Sequence, residues 1–208
     1  MTGSAEFIHR FIPATVEGTR PLLLLHGTGG DENDLLPLGA EIAPGAALLS
    51  PRGKVLEGTM PRFFRRLREG IFDIEDLRFR AGELAAFVRD SQARYGIAAP
   101  IAVGYSNGAN IAAATLLLHP GTLSGAVLLR AMVPLKPEAK PDLASTPVLI
   151  VSGAKDPIVP ASSAAELAAM LREGGAAVTH EILHTGHGLT GQDVVLARAA
   201  VAGMTSAS

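Results

Sequence analysis

A serine lies at the centre of the segment GYSNG, residues 104–108, with glycine two positions away on each side. This G-x-S-x-G pattern is typical of a sharp turn from a strand into a helix that exposes a nucleophilic serine. The residues two before and two after the serine approach each other closely in such a turn, so both must be small. An apolar run over residues 101–105 leads into the serine, and an apolar stretch over residues 110–118 follows it. The pattern predicts that Ser106 is a nucleophile; the alternative is a glycine-rich turn without chemistry.

A serine nucleophile needs a base to take its proton and a carboxylate to orient that base. In folds that carry this motif, the order along the chain is Ser, then Asp or Glu, then His. Asp156 follows the apolar run 148–152, and sites in such sheets form at the carboxyl ends of the strands. His187 stands between two glycines, which allow a tight loop and close approach to a substrate. We therefore expect a catalytic triad of Ser106, Asp156 and His187.

Other aspartates and histidines fit these roles less well. Asp142 is the nearest alternative to Asp156, but it lies in a proline-rich loop with no strand immediately before it. His184 shares the loop of His187, but the two flanking glycines belong to His187. His26 ends a strand, where a hydrogen bond that holds the following loop is the simpler role.

Acyl transfer also needs two backbone N–H groups aimed at the oxyanion that develops on the substrate. One comes from the residue after the nucleophile, here Asn107. The other comes from a loop after an earlier strand, and the segment HGTGGD, residues 26–31, follows the apolar run 22–25. Thr28 is the best candidate, because flanking glycines let its N–H face the site. The segment has neither G-x-G-x-x-G spacing nor Gly-Lys-Ser/Thr, which excludes a dinucleotide-binding loop and a Walker loop.

These residues must be positioned by strands and helices that alternate along the chain. Short apolar runs separated by longer helical patterns indicate βαβ units around a mostly parallel sheet. The candidate strands are residues 7–12, 22–25, 46–49, 101–105, 126–129, 148–152 and 178–183. The first run is mixed and suits a sheet edge, whereas the next five are near-continuous apolar runs, as strands buried on both faces should be. We expect an α/β fold with about seven strands, helices on both faces and a single domain over residues 1–208.

Periodicity and capping residues predict the helices. Apolar residues recur at steps of three, four or seven between positions 77 and 95, with Asp73 as the expected N-cap. The stretch 110–118 is apolar on nearly every side, so that helix should be buried. Two pairs have the spacing of a capping box and predict helix starts: Ser163 with Glu166, and Thr190 with Asp193.

Composition narrows the function further. The chain has no cysteine, so disulfides, thiolate zinc sites and cysteine nucleophiles are excluded. The formal net charge is -2. Basic residues do not outnumber acidic ones, so nucleic acid is not expected as a partner. The cluster of Arg62, Arg65, Arg66 and Arg68 is interpreted as a solvated helix face or loop. No signal peptide is visible and the apolar runs are too short to span a bilayer, so we expect a cytoplasmic protein without stable membrane insertion. A homodimer is expected from the general frequency of C2 dimers.

Four segments resemble the phospholipase/carboxylesterase family, the acyl-protein-thioesterase-like branch of α/β-hydrolases, and within it small bacterial carboxylesterases. They are LHGTGGDE at 25–32, GYSNGA at 104–109, GAKDPIVP at 153–160 and GHG at 186–188. The resemblance implies an α/β-hydrolase fold without a large cap domain, a shallow site, and ester hydrolysis without a metal or cofactor. It also implies triad roles for Ser106, Asp156 and His187, and oxyanion roles for Thr28 and Asn107.

The predicted function is a serine carboxylesterase that acts on a small-molecule ester through an acyl-enzyme on Ser106. Apolar side chains in the loops at the strand ends would suit a short-to-medium acyl or aryl group. The candidate substrate-binding residues are Met60, Phe63, Phe64, Met132 and Leu189. Phe63 and Phe64 could equally pack their loop on the core.

Two alternatives remain at this point. The same triad could serve an acyl thioesterase or a lysophospholipase. Longer thioesterases of the family carry Trp-Phe or Trp-Tyr segments near the site, and this chain has no tryptophan, which weakens the case for lipidated-protein substrates. The second alternative is a ligand-binding protein that kept the fold and lost the chemistry, but such a protein would often have a damaged triad or glycine loop.

Overall fold

The computed structural model describes residues 6–144 and 146–206. The strands in this part of the chain are β1 His9–Ile12, β2 Leu22–Leu25, β3 Leu48–Pro51, β4 Val55–Glu57, β5 Met60–Arg62, β6 Arg66–Arg68, β7 Ile71–Phe72, β8 Ile101–Tyr105, β9 Gly125–Leu129, β10 Pro147–Gly153 and β11 Ala177–Leu183. The helices are α1 Leu36–Ile42, α2 Ile74–Tyr95, α3 Asn107–Leu118, α4 Ala161–Glu173 and α5 Gly191–Ser206.

Seven strands form one central sheet in the order β1-β3-β2-β8-β9-β10-β11. The edge strand β1 is antiparallel to β3, and the other neighbours pair in parallel. Parallel neighbours cannot be joined by a tight turn, which is why helices connect most of them. The predicted mostly parallel sheet is confirmed, including the edge position of its first strand.

Helices cover both faces of the sheet, as expected. Successive side chains of a strand point to opposite faces. In β2, Leu23 and Leu25 join a buried cluster with residues of α2, α3 and α4, whereas Leu22 and Leu24 join a second cluster with residues of α1 and α5. The core therefore consists of two apolar layers, one on each side of the sheet.

The helices α2 and α3 follow their sequence signals closely. α2 begins after Asp73, whose carboxylate accepts a hydrogen bond from the N–H of Asp76, as the N-cap prediction requires. It ends at Gly96, which has the left-handed backbone that favours glycine. α3 is buried over residues 107–117, so its apolar composition does reflect a helix enclosed by the fold.

The two predicted capping boxes have different outcomes. The first is wrong, because α4 already begins at Ala161 and Ser163 lies inside it, where its Oγ accepts a hydrogen bond from the N–H of Val133 at 3.0 Å. The second marks the start of α5 correctly, since the Asp193 carboxylate accepts a hydrogen bond from the N–H of Thr190 at 2.7 Å.

The connection between β3 and α2 was not predicted. It contains two small hairpins, β4–β5 and β6–β7, whose strands of two or three residues are too short to show a periodic pattern. Nothing in residues 6–144 and 146–206 builds a cap domain over the sheet. No helix in those residues is long and apolar enough to cross a membrane.

Candidate active site

Ser106 lies in the turn between β8 and α3, at the carboxyl edge of the sheet. Its backbone has φ 52 and ψ -112, a conformation that residues with a Cβ rarely adopt. The turn is held from both sides: the N–H of Ser106 donates to the carbonyl of Leu129 at 2.9 Å, and its own carbonyl accepts from the N–H of Asn110 at 3.0 Å. The strained conformation required of an exposed nucleophile is therefore present.

The two glycines of the motif are required by close backbone contacts. A Cβ on Gly104 would lie 2.6 Å from the carbonyl oxygen of Gly108, and a Cβ on Gly108 would lie 1.9 Å from the carbonyl oxygen of Leu25. Both neighbours are backbone atoms that cannot rotate away. The spacing read from the sequence thus reflects how tightly α3 packs against β8 and β2.

The structure brings Ser106, Asp156 and His187 together from the ends of β8, β10 and β11. The Oγ of Ser106 is 2.9 Å from Nε2 of His187, and Nδ1 of His187 is 2.7 Å from Oδ2 of Asp156. Because an ionised carboxylate can only accept, Nδ1–H donates to Asp156 and leaves Nε2 of the neutral ring to accept from the serine. The side chain of Asp156 is 1% exposed and that of His187 is 17% exposed, so the relay is buried at the acid and open towards the serine.

The loop after β10 keeps Asp156 ionised. Burial favours the neutral carboxyl, but the N–H groups of Val159 and Ile158 donate to Oδ1 and the imidazole of His187 donates to Oδ2. Together these donors hold the pKa of Asp156 below its ordinary value. The alternative acid, Asp142, instead accepts from the N–H of Ala144 in an exposed loop.

The two predicted oxyanion residues border the same pocket as Ser106. Asn107 is the first residue of α3, and the N–H groups of a helix's first turn have no partner within the helix. Thr28 lies in the loop after β2, which is tied to β5 by a hydrogen bond from the N–H of Gly29 to the carbonyl of Pro61 at 2.9 Å.

The last residue of the hairpin β4–β5 and the residue after it also bind the side chains of both predicted oxyanion residues. Arg62 donates from Nη1 to the Oγ1 of Thr28 at 2.7 Å, and the N–H of Phe63 donates to Oδ1 of Asn107 at 2.7 Å. Arg62 is buried and forms an ion pair with Glu57 at 3.2 Å. The interpretation of this arginine as part of a solvated surface is therefore wrong, and no feature of its spacing indicated otherwise.

His26 has the structural role expected of it. Its Nδ1–H donates to the carbonyl of Gly27 at 2.7 Å, and its Nε2 accepts from the N–H of Gly53 at 3.0 Å. This pairing requires a neutral ring with the proton on Nδ1. Burial acts in the same direction and lowers the pKa of His26.

Phe63 and Phe64, which were predicted as substrate-binding residues, are buried in the core. They are 3% and 0% exposed, and both belong to the buried cluster that contains α2 and α3. The backbone of the segment after β5 turns these two rings inward, so the alternative of packing on the core holds. A sequence cannot give the direction of a side chain in a loop, because that direction depends on the surrounding fold.

The structure places the other three predicted substrate-binding residues in three different surroundings. Met132 borders the pocket beside Ser106. Met60 is 42% exposed and lies over the loop after β2, where its Sδ would be 3.6 Å from a Cβ on Gly29. Leu189 packs against the apolar layer that contains α1 and α5.

The pocket at Ser106 has a volume of about 40 Å³. Its border includes three apolar residues that were not predicted as substrate contacts, namely Phe72, Ile158 and Val159, together with the polar side chains of Arg62, Arg66, Glu69 and Asn110. Ile158 and Val159 could have been anticipated, because they follow Asp156 in the same loop. In the described parts of the chain, no cluster of three or more His, Asp or Glu side chains could hold a metal ion.

A mostly parallel sheet with a strained serine after one strand, an acid after a second and a histidine after a third defines an α/β-hydrolase. A family profile described as Phospholipase/Carboxylesterase matches residues 10–201. The chain belongs to this family, which confirms the resemblance and the prediction of a serine hydrolase of the carboxylesterase class.

Relatives with known sequences or structures agree with this assignment. MhqD of Bacillus subtilis (strain 168) is 47% identical over 179 residues, which are 85% of this chain and 90% of that protein. The crystal structure of the Bacillus cereus carboxylesterase is 44% identical with a TM-score of 0.93, and covers 96% of this chain and 95% of its own. The carboxylesterase from Mesorhizobium loti is 35% identical with a TM-score of 0.90, and covers 95% of each chain.

Proposed function

We propose that this protein is a serine carboxylesterase that hydrolyses small-molecule esters through an acyl-enzyme on Ser106. The observation that carries the proposal is the continuous hydrogen-bonded relay from Ser106 Oγ through His187 to the buried carboxylate of Asp156. A serine hydroxyl is a weak nucleophile on its own, and a neutral imidazole oriented by a carboxylate is the arrangement that activates it.

The proposed reaction begins when His187 takes the proton of Ser106 as Oγ attacks the ester carbonyl. The developing oxyanion is stabilised by the N–H groups of Thr28 and Asn107, each of which would contribute about 3 kcal/mol to the transition state. The alcohol then leaves with the proton from His187. His187 then takes a proton from the water that attacks the acyl-enzyme, and returns this proton to Ser106 Oγ as the carboxylic acid leaves. Asp156 stays ionised throughout.

A short acyl group fits the pocket best. Its volume of about 40 Å³ is far below the roughly 300–1,000 Å³ of pockets that enclose drug-sized ligands. The apolar residues Phe72, Met132, Ile158 and Val159 border it and would contact an acyl or small aryl group. We propose acetyl- to butyryl-sized esters as the substrate class, with the longer part of the substrate lying outside the pocket.

The test is hydrolysis of p-nitrophenyl esters of graded acyl length by the wild type, Ser106→Ala and Ser124→Ala. Ser124 is a matched control, because it is a half-buried serine just before β9 whose hydroxyl has no hydrogen-bond partner among the described residues. We expect Ser106→Ala to lower kcat on the order of 10⁶-fold and Ser124→Ala to leave kcat unchanged. The value of kcat/KM should be largest for the acetyl and butyryl esters.

Labelling with a fluorophosphonate separates the remaining alternatives. The proposal requires covalent labelling of Ser106 in the wild type, located by mass spectrometry, and none in Ser106→Ala. If the wild type neither hydrolyses any ester nor takes the label, the protein is a ligand-binding member of the fold. If matched thioesters or lysophospholipids react much faster than the oxygen esters, the thioesterase or lysophospholipase alternative replaces the proposal.

A further inference from the structure

A fully buried arginine lies directly behind the histidine loop. Arg130 follows β9, an apolar strand that pairs with β8, and none of its surface is exposed. Its backbone has φ 58, and among the residues that the structure describes, Ser106 and Arg130 are the non-glycine residues with positive φ. Strained backbone of this kind persists only where the surrounding structure holds it, and it is concentrated at functional sites.

The guanidinium of Arg130 holds the loop on both sides of His187. Its Nε donates to the carbonyl of Gly186 at 3.1 Å, and its Nη2 donates to the carbonyl of Gly188 at 3.0 Å. The carbonyl between them, that of His187 itself, accepts from the hydroxyl of Tyr105 at 3.2 Å. Three successive carbonyls of the loop are therefore fixed by side chains that arise from β8 and the end of β9.

Arg130 is itself fixed by Asp193 in the first turn of α5. Nη1 and Nη2 donate to the two carboxylate oxygens at 2.7 and 3.0 Å, and Asp193 is 1% exposed. The planar fork of a guanidinium matches a carboxylate and two carbonyls at fixed angles, which an ammonium cannot do. Since burying an ion pair commonly stabilises a fold no more than apolar residues of similar size would, stability alone does not account for this pair.

We propose that Arg130 is a positioning residue for catalysis, which sets the orientation of the His187 ring by clamping the carbonyls on either side of it, with Asp193 as its anchor. The proposal rests on the proposed function, in which His187 is the base. Arg130 acts through the loop and does not touch the reacting atoms. Loss of the clamp should therefore change the proton-transfer geometry and leave substrate binding nearly unchanged.

The test uses the double variant Arg130→Met/Asp193→Asn, because removing one charge alone would leave the other buried and unpaired. The introduced asparagine keeps an oxygen that can accept from the N–H of Thr190, and so preserves the start of α5. We expect kcat to fall about 10- to 100-fold with KM little changed, since displacing a catalytic group by about 1 Å can cost 10²-fold. The rate of fluorophosphonate labelling of Ser106 should fall with kcat.

A matched control is Arg198→Met/Glu41→Gln. Arg198 also lies on α5, also pairs with a carboxylate and also donates to a main-chain carbonyl, that of Glu41, but this pair is on the surface. Its removal should leave kcat, KM and labelling at wild-type values. Arg130→Lys is the second test variant, because it keeps the buried charge opposite Asp193 but cannot reach both carbonyls, and it should lower kcat as the double variant does.

A proton NMR measurement reads the position of His187 without any turnover. The Nδ1–H between His187 and Asp156 should give a low-field resonance in the wild type, which is assigned by its loss in His187→Ala. We expect this resonance to broaden or disappear in both Arg130 variants while circular dichroism shows a folded protein. The proposal is overturned if a folded Arg130 variant keeps the resonance and wild-type kcat. An inactive wild type would instead refute the proposed function, and the resonance would still decide the role of Arg130.

Discussion

Replacing Ser106 by glycine should give a more stable protein than replacing it by alanine, and both replacements should abolish activity. The backbone of Ser106, at φ 52 and ψ -112, is strained for any residue with a Cβ but readily accessible to glycine. Ser106→Ala is the matched comparison, because it removes the same hydroxyl and the same hydrogen bond to His187 but keeps the Cβ. The difference in stability between these two variants therefore isolates the backbone strain at the nucleophile.

The expected difference follows from two opposing effects. A residue held in such a conformation costs about 1–3 kcal/mol in the native state. Glycine gives back about 0.4–1 kcal/mol through the greater freedom of the unfolded chain. From the middle of each range, the glycine variant should be about 1.3 kcal/mol more stable than the alanine variant, or about 3–5 °C higher in Tm for a chain of this size.

Urea unfolding followed by circular dichroism measures both free energies of unfolding under the same conditions. The m-values of the two variants should agree, so that a shift in midpoint reports stability alone. Both variants should fail to hydrolyse p-nitrophenyl acetate. If Ser106→Gly is equal to or less stable than Ser106→Ala, the nucleophile turn stores no strain and the reasoning from its backbone angles is refuted.

Two further predictions concern a glycine of the motif and a buried histidine. Gly108→Ala should destabilise the fold by about 3 kcal/mol or more, because its Cβ would meet backbone atoms of β2. Gly203→Ala in α5 is the control, because its Cβ would meet nothing within 4 Å, and it should stabilise the fold by about 0.5–1 kcal/mol. Urea unfolding measures both changes, and equal stabilities of the two variants would contradict this prediction. The pKa of His26 is lowered by burial, so the unfolded state binds a proton that the folded state does not, and stability should fall as pH drops below the ordinary histidine value of about 6.5. A proton on Nε2 of His26 would also remove the hydrogen bond that this atom accepts from the N–H of Gly53. His26→Gln should show a smaller loss of stability between pH 7.5 and pH 5.5, and an unchanged pH dependence would refute this reasoning.

The sheet and the three residues of the relay were predictable because several constraints on them coincide. Each residue follows a predicted strand, and the carboxyl ends of parallel strands meet at one edge of the sheet. The glycines around Ser106 mark positions where backbone passes close to backbone, as the contacts of Gly104 and Gly108 show. The glycines around His187 are not required in this way, because a Cβ on Gly186 would lie 3.7 Å from the carbonyl oxygen of Lys155 and a Cβ on Gly188 would meet nothing within 4 Å. Composition and spacing carry this information without knowledge of the tertiary structure.

The surroundings of the relay were less predictable, for a physical reason. Phe63 and Phe64 lie between hairpins of two- and three-residue strands, where no periodicity tells an inward side chain from an outward one. The capping-box spacing at Ser163 occurs inside a helix, because the same residue types also form hydrogen bonds to neighbouring segments, here to Val133. Such assignments depend on which elements pack together, and that is decided by the whole chain.

The role of Arg130 was partly predictable from the sequence. A single charged residue at the end of an otherwise apolar strand is a visible signal, since a buried charge is costly unless it is paired. Its partner Asp193 could not be identified from the sequence, because 63 positions separate the two side chains and the capping-box spacing gave the aspartate a local role. The aspartate fulfils both roles, accepting from Thr190 at the start of α5 and from Arg130 behind the histidine loop. The helix start and the position of His187 thus share one carboxylate, which couples the docking of α5 to the geometry of the proposed base.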